Sequence, residues 1–150
     1  MINKNQLTER SFTPSQLSGF DGAHSIQLPV DFIHDLSKAD SLQAVLDTIA
    51  YWISHVFDAD RASITLQDTE EYLKLYSISG NHAIPMDFKI PIGQTFVGRV
   101  FAQSQLIICD DLAQSDELDC KMLSEHGMGT CMDAPMIHNG VCIGTLNVAD

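Results

Sequence analysis

The stretch CMDAPMIHNGVCIGTLNVAD, residues 131–150, places an Asn-Gly pair between two mostly apolar runs. Asn139-Gly140 in such a setting is the strongest short-range signal for a β-hairpin with a two-residue turn. Counting outward from this turn sets Asp133 opposite Leu146 on the neighbouring strand. Both faces of the hairpin are mostly apolar near its middle, so we expect it to belong to an antiparallel sheet that is covered on both sides.

Asp133 is the residue of this hairpin that sheet formation does not explain. A carboxylate on an apolar sheet face must find hydrogen-bond donors or lose its charge. One interpretation is that it accepts bonds from a nearby helix N-terminus or from loop amides. The functional interpretation is that it is a polar anchor in a ligand cavity, and simple exposure to solvent is the third.

Length, composition and charge limit the classes of function. A chain of 150 residues is most simply one domain, and 45% apolar residues are enough for a core. Eight Lys and Arg against 20 Asp and Glu give a net charge of −12, which argues against nucleic-acid and membrane partners. No apolar run resembles a signal peptide or approaches the ~20 residues of a membrane-spanning helix. We therefore expect a cytoplasmic protein.

The rest of the chain predicts helices and strands in mixed order. Residues 1–28 are polar without lasting periodicity, so we interpret them as a mobile N-terminal arm that precedes a domain over residues 29–150. From Leu42 to Phe57, apolar residues recur at spacings of three and four, which predicts a long amphipathic helix. The other predicted elements are strands at 61–67, 72–79, 88–92 and 106–110 and short helices at 93–104 and 116–127.

Cysteine spacing gives no metal or disulfide signal. The four cysteines form no CxxC pair, so zinc binding is poorly supported. In a reducing compartment a disulfide framework is not expected. We interpret them as mostly buried free thiols. They are Cys109, Cys120, Cys131 and Cys142.

The order of these elements resembles the GAF domain family, the small-molecule sensor modules of signalling proteins. The resemblance covers roughly residues 30–150. It implies an α+β fold: an antiparallel sheet with terminal helices on one face and a ligand-type cavity under short helices and loops on the other. The family's usual final helix would follow Asp150, so the resemblance implies a module of something longer. The matching segments are SLQAVLDTIAYWISHVFDADRASITL (41–66), IPIGQTFVGRVFAQSQLIICDDL (90–112) and LSEHGMGTCMDAPMIHNGVCIGTLNV (123–148).

The resemblance implies a regulatory input domain and not an enzyme, without a metal site and with no cofactor specified. It implies an unidentified small-molecule ligand, a homodimer formed through the terminal helices, and an attached output domain such as a histidine kinase or nucleotide cyclase. A ligand-free dimerisation module is the alternative, and it predicts no cavity of the ~300 Å³ expected for a small-molecule site. The residues that the resemblance places at the ligand site are Phe88, Phe96, Asp110, Leu118, Met122, Met132 and Asp133.

Known activities of the family can be compared with this chain position by position. Bilin-binding members carry a Cys-His pair where Leu118-Asp119 stands, and many cyclic-nucleotide-binding members carry an Asn-Lys pair where Ala149-Asp150 stands. Neither ligand is therefore favoured.

The free methionine-R-sulfoxide reductases, which share this fold, place their cysteines where this chain has Val97 and Ser124. Without a placed thiolate there is no nucleophile. Reduction of free methionine-R-sulfoxide remains a third interpretation, because Cys120 and Cys131 offer a different arrangement of thiols.

Overall fold

The computed structural model describes residues 8–17 and 27–150. Within them the strands are β1 (Glu9–Phe12), β2 (Arg61–Gln67), β3 (Tyr72–Gly80), β4 (Lys89–Pro91), β5 (Leu106–Cys109), β6 (Cys131–His138) and β7 (Val141–Ala149). The helices are α1 (Pro14–Leu17), α2 (Val30–Lys38), α3 (Leu42–Val56), α4 (Phe96–Gln103) and α5 (Leu118–Glu125). The strands form one antiparallel sheet in the order β1-β5-β6-β7-β2-β3-β4. The predicted α+β fold is confirmed.

The helix α3 covers one face of the sheet. Its N-terminus is capped by Ser41, whose hydroxyl oxygen accepts a bond from the amide of Ala44 at 3.1 Å. Its inner face buries Leu46 and Ala50 against Ile64 of β2. Apolar residues three and four apart fall on one side of a helix, so the periodicity of this segment explains which side packs on the sheet.

The opposite face of the sheet carries the larger core. Here α4 packs over β6 and β7 and against α5, and Phe96, Val100 and Cys120 of these two helices are completely buried. Thr95 caps α4 by accepting from the amide of Gly98 at 3.0 Å. Both faces are therefore covered, as the apolar pattern of the final hairpin predicts.

The final hairpin has the predicted turn but a different register. Asn139 and Gly140 have φ angles of 50° and 77°, as a two-residue turn with two positive φ values requires. Between Met136 and Ile137, however, the pairing shifts by one residue, and Asp133 lies opposite Asn147. The predicted pairing of Asp133 with Leu146 is wrong, because a β-bulge moves every later pair by one position.

Near this bulge, β7 packs closely against the neighbouring strand β2. Gly144 approaches β2 so tightly that a Cβ atom there would lie 2.1 Å from the carbonyl oxygen of Thr65. The thiol of Cys142 donates to the carbonyl oxygen of Gly144 at 3.3 Å. A residue with a side chain could not make this approach without displacing the backbone of β2.

The N-terminal region differs from the expectation of a separate arm. Residues 9–12 pair with β5 at the edge of the sheet, with Arg10 opposite Ile108. Arg99 of α4 holds Glu9 through two hydrogen bonds of 2.6 and 2.8 Å. The sequence ERSF has too little alternation in hydropathy to predict a strand. Ion pairs stabilise the position of this strand at the edge of the sheet. The remaining parts of the predicted arm, 1–7 and 18–26, lie outside the described residues.

Among the helices described, none combines the length and the apolar composition needed to cross a membrane.

Candidate ligand site

A small cavity lies between the sheet and the roof formed by α4 and α5. Its volume is about 30 Å³, which is room for about two water molecules. Apolar side chains such as Leu75, Ile90 and Val97 form part of its wall. The polar side chains that line it are Arg61, Ser63, Thr65, Asp119, Asp133 and Asn147.

Arg61 begins β2 and is almost fully buried, with 3% of its surface exposed. Its guanidinium donates to the carbonyl oxygens of Asn81 and Ile84 at 2.6 and 3.2 Å. Burial lowers the pKa of Arg61 to about 10, and the charge of Asp133 partly opposes this shift. Arg61 therefore stays protonated at neutral pH, and it ties the connection between β3 and β4 to the wall of the cavity.

Asp119 joins the two roof helices. Its carboxylate accepts from the backbone amides of Phe96 and Val97 at 2.8 and 3.0 Å. Both amides belong to the first turn of α4, where N–H groups lack partners within the helix. Burial raises the pKa of Asp119, and these hydrogen bonds lower it. One interpretation of the sequence was that Asp133 accepts hydrogen bonds from a helix N-terminus. In the structure Asp119, on the other side of the cavity, accepts these bonds.

Asp133 is buried without a hydrogen-bond donor among the described residues. It is 5% exposed, and its carboxylate accepts none of the hydrogen bonds found among the described residues. Burial raises its pKa well above the ordinary value, the charge of Asp119 raises it further, and Arg61 lowers it. Of the three interpretations offered by the sequence, burial excludes exposure to solvent. The absence of amide donors within the described residues contradicts the interpretation in which Asp133 binds a helix N-terminus or loop amides.

Asn147 stands directly opposite Asp133. Its amide nitrogen donates to the hydroxyl oxygen of Ser63 at 3.3 Å. Its carbonyl oxygen Oδ1 is buried and has no partner within the described part of the chain. Two neighbouring strands therefore present unpaired acceptors to one cavity, and buried acceptors of this kind are costly unless a donor reaches them.

The structure separates the seven residues that were placed at the ligand site. Asp133 lines the cavity. Phe96 is fully buried in the adjoining core, and Phe88 and Met122 pack against that core. Leu118 is 37% exposed at the start of α5.

Met132 and Asp110 lie elsewhere. Successive side chains of a strand point to opposite faces, so Met132 lines a groove on the α3 side of the sheet, together with Phe57 and Asp110. The carboxylate of Asp110 is half-exposed and pairs with Arg10 at 2.9 Å. The structure does not bring these two residues together with Asp133 in one cavity.

Sequence reasoning missed Arg61, Asp119 and Asn147 as cavity residues. An arginine at the start of a strand is usually solvated, and an aspartate in the first turn of a helix usually complements the helix dipole. The signal that was available is the strand RASITLQ, whose polar residues Ser63 and Thr65 alternate with Ile64. Such alternation on a strand that must be covered on both faces indicates a polar cavity.

Three buried cysteines cluster beside the cavity. Cys109 and Cys131 are directly opposite on neighbouring strands, and the thiol of Cys120 lies against that of Cys131. The contact with Cys120 and then burial raise the pKa of Cys131, while burial raises the pKa of Cys109 to about 11. Cys109 and Cys131 are thus protonated at neutral pH and poor nucleophiles.

All four cysteines are free, and Cys142 is half-buried. This confirms the interpretation of mostly buried thiols. Within residues 8–17 and 27–150, no group of three or more His, Cys, Asp or Glu side chains is arranged to hold a metal ion.

An antiparallel sheet with a long helix on one face, and a polar cavity under two short helices on the other, is the α+β architecture that the resemblance implied. The chain belongs to the GAF domain family, whose family model matches residues 41–150. Domains of this family are generally regulatory modules, and the chain is a domain of this sensory or regulatory kind.

Solved structures show the same fold at low identity. The GAF domain of a phosphoenolpyruvate-protein phosphotransferase from Coxiella burnetii is 17% identical over 80% of this chain and 73% of that chain, with a TM-score of 0.70. The GAF domain of nlh2 from A. aeolicus, in an inactive state, is 12% identical over 80% and 75%, with a TM-score of 0.67. Free methionine-R-sulfoxide reductase from Neisseria meningitidis is 20% identical over 85% and 80%, with a TM-score of 0.66. No curated protein sequence matches the chain.

Proposed function

We propose that this chain is the small-molecule-sensing input domain of a cytoplasmic signalling protein, and that its ligand binds in the polar cavity under α4 and α5. The observation that carries the proposal is Asp133, a buried carboxylate for which the described residues supply no hydrogen-bond donor. Together with the unpaired oxygen of Asn147, it favours a ligand that brings its own donors.

The small volume of the cavity bears on how binding would be signalled. Small-molecule sites usually measure ~300 Å³ or more, about ten times the present volume. A metabolite would therefore have to displace the roof. Because Arg99 of α4 is bonded to Glu117 before α5 and to Glu9 of β1, such a displacement would reach the edge of the sheet. The energy available is the difference in ligand affinity between the two states.

A thermal-shift screen of metabolites and nucleotides tests the proposal. A ligand present at about a hundredfold excess over its Kd adds ~2.7 kcal/mol of stability, which raises the Tm by about 5–11 °C for a domain of this size. The Asp133→Asn variant should lose the shift. Asp110→Asn is the matched control, since that half-exposed carboxylate pairs with Arg10 outside the cavity. A panel that gives no shift even at millimolar concentration would contradict ligand sensing.

The proposal includes a homodimer formed through the terminal helices and an attached output domain such as a histidine kinase or nucleotide cyclase. Apolar side chains on the outer side of α2 and α3 support the first part: Val30, Ile33 and Leu42 are 82%, 53% and 62% exposed. Sedimentation of the wild type and of Ile33→Asp tests it, because a monomeric wild type would contradict this dimer.

A ligand-free dimerisation module is the second candidate. The observation in its favour is the cavity of about 30 Å³, well below the size of a ligand site. It predicts that no compound in the screen binds.

An enzyme that reduces free methionine-R-sulfoxide is the third candidate, supported by the contact between the thiols of Cys120 and Cys131 and by fold similarity to such reductases. The raised pKa of Cys131 argues against it. An assay with free methionine-R-sulfoxide and a thiol reductant, on the wild type and Cys120→Ser, distinguishes it: turnover that depends on Cys120 would replace the sensor proposal with an enzyme.

A further inference from the structure

The hydrogen-bonding atoms of the cavity are unequally paired. The carboxylate of Asp133 and the carbonyl oxygen of Asn147 have no donors within the described residues. The two residues are cross-strand partners, so their side chains leave the same face of the sheet about 4.5–5.5 Å apart at Cβ. The amide nitrogen of Asn147 is already used by Ser63. The guanidinium of Arg61 and the hydroxyl of Ser63 also line the cavity, but neither donates to these oxygens, so the acceptors of Asp133 and Asn147 are the atoms that a ligand's donors could reach.

The charges that line the cavity point in the same direction. One guanidinium, Arg61, and two carboxylates, Asp119 and Asp133, face it, so the formal charge is −1 when both carboxylates are ionised. Asp119 is stabilised by the N-terminal amides of α4. Arg61 is bonded to two backbone carbonyl oxygens. A single additional positive charge next to Asp133 would make the lining neutral.

We propose that the cavity binds the primary ammonium group of a small ligand, whose N–H groups donate to the carboxylate of Asp133 and to Oδ1 of Asn147. This inference rests on the proposed function, since it takes the cavity as the sensor's ligand site. An ammonium group has three donors and no acceptor, and three acceptor oxygens are available on these two side chains. Charge-assisted bonds of this kind are the stronger class of hydrogen bond.

The size of the cavity sets which ammonium compounds fit. With room for about two waters, it takes the ammonium ion or methylammonium with the roof in place. A longer primary amine fits only if the roof moves away, and this movement would give the sensor its signal. Water can donate to the same oxygens, but it brings no charge to offset that of Asp133.

Binding should also displace a proton. Burial raises the pKa of Asp133, the negative charges of Asp119 and Glu117 raise it further, and Arg61 lowers it. The neighbouring thiol of Cys131 is protonated and adds no charge. A bound cation favours the ionised carboxylate, so ammonium and the proton compete for Asp133. Affinity therefore rises with pH, up to tenfold per unit, until Asp133 is ionised in the free protein.

The test uses the full chain, with thermal shift and calorimetry in ammonium chloride and methylammonium chloride. Potassium chloride, whose cation is small enough for the cavity but has no N–H, is the matched control at equal ionic strength, and tetramethylammonium chloride, whose cation is larger than the cavity, is a second control for ionic effects at the surface. We expect stabilisation by the first two salts beyond that of the controls, and a larger effect at mildly alkaline than at mildly acidic pH. Asp133→Asn and Asn147→Leu should each weaken ammonium binding about tenfold or more, whereas Asp110→Asn should leave it unchanged.

The results separate this inference from the proposed function. Equal shifts with potassium or tetramethylammonium would overturn it, because the site would then recognise charge without N–H donors. No response to either ammonium salt, together with an Asp133-dependent shift from another class of metabolite, would overturn the ammonium assignment and leave the sensor proposal standing. No Asp133-dependent shift with any compound would contradict both.

Discussion

Replacing Asp119 by alanine tests whether this carboxylate holds the roof of the cavity together. Asp119 is 3% exposed, and its carboxylate accepts from the amides of Phe96 and Val97 at 2.8 and 3.0 Å. Alanine removes the acceptor and leaves two buried N–H groups of α4 without partners. The expected result is a less stable domain whose roof helices separate more readily.

The magnitude follows from these two bonds. A buried donor left without its acceptor costs ~1–3 kcal/mol of stability. Alanine also removes a carboxylate whose burial is unfavourable, as its raised pKa shows, and this gain offsets part of the loss. We therefore expect a loss of about 2–4 kcal/mol in the free energy of unfolding. This corresponds to a fall in Tm of about 4–16 °C for a domain of this size. Asp119→Asn keeps one acceptor oxygen, so its effect should be smaller.

Urea unfolding at neutral pH, followed by circular dichroism, measures these differences. Asp116→Ala is the matched control, because this exposed aspartate lies three residues away in the same segment, and its replacement should change stability by about 0.5 kcal/mol or less. If Asp119→Ala were as stable as Asp116→Ala, the carboxylate would not be what joins the two roof helices.

Three further predictions concern the rest of the domain. Asp133→Asn should be more stable than the wild type at neutral pH, because the folded wild-type protein holds a proton that the unfolded chain releases. The difference in the free energy of unfolding should grow as pH rises from ~4 towards the raised pKa of Asp133, by up to about 1.4 kcal/mol per pH unit. Urea unfolding at several pH values measures this slope, and parallel pH dependence of the two proteins would contradict it. Gly144→Ala forces a Cβ atom against the carbonyl oxygen of Thr65, so its free energy of unfolding, measured with urea, should fall by ~1–3 kcal/mol. Gly93→Ala is the control, because Gly93 has open space around it and its replacement should not cause this loss. Equal effects of the two substitutions would contradict the close approach of β7 to β2. Under a thiol-alkylating reagent followed by mass spectrometry, Cys142 should react before the three buried cysteines, and simultaneous modification of all four in the native protein would contradict their burial.

Local patterns in the sequence were sufficient for the architecture. The periodicity between Leu42 and Phe57 predicted α3, and Asn139-Gly140 predicted the final turn, because helix faces and tight turns depend on residues that are near one another in the chain. The two-sided apolar pattern of the final hairpin predicted a covered sheet. These features are confirmed by the structure.

The candidate site depended on features that local patterns do not show. The bulge at Met136 and Ile137 lies in a hairpin with similar hydropathy on both faces, so the sequence could not distinguish one register from the next. As a result, Asn147 and not Leu146 faces Asp133. Arg61 lies over 70 residues from Asp133 in the chain, and only the pairing of β2 with β7 brings it to the cavity.

The most direct test of the account is a pH titration of the side-chain carboxyl carbon of Asp133 by ¹³C NMR, with and without methylammonium chloride. A buried carboxyl group without donors should titrate well above the ordinary value of ~3.9 for aspartate, and methylammonium should move the midpoint to lower pH. A midpoint near the ordinary value that methylammonium leaves unchanged would show that Asp133 is neither isolated from solvent nor the anchor of a ligand.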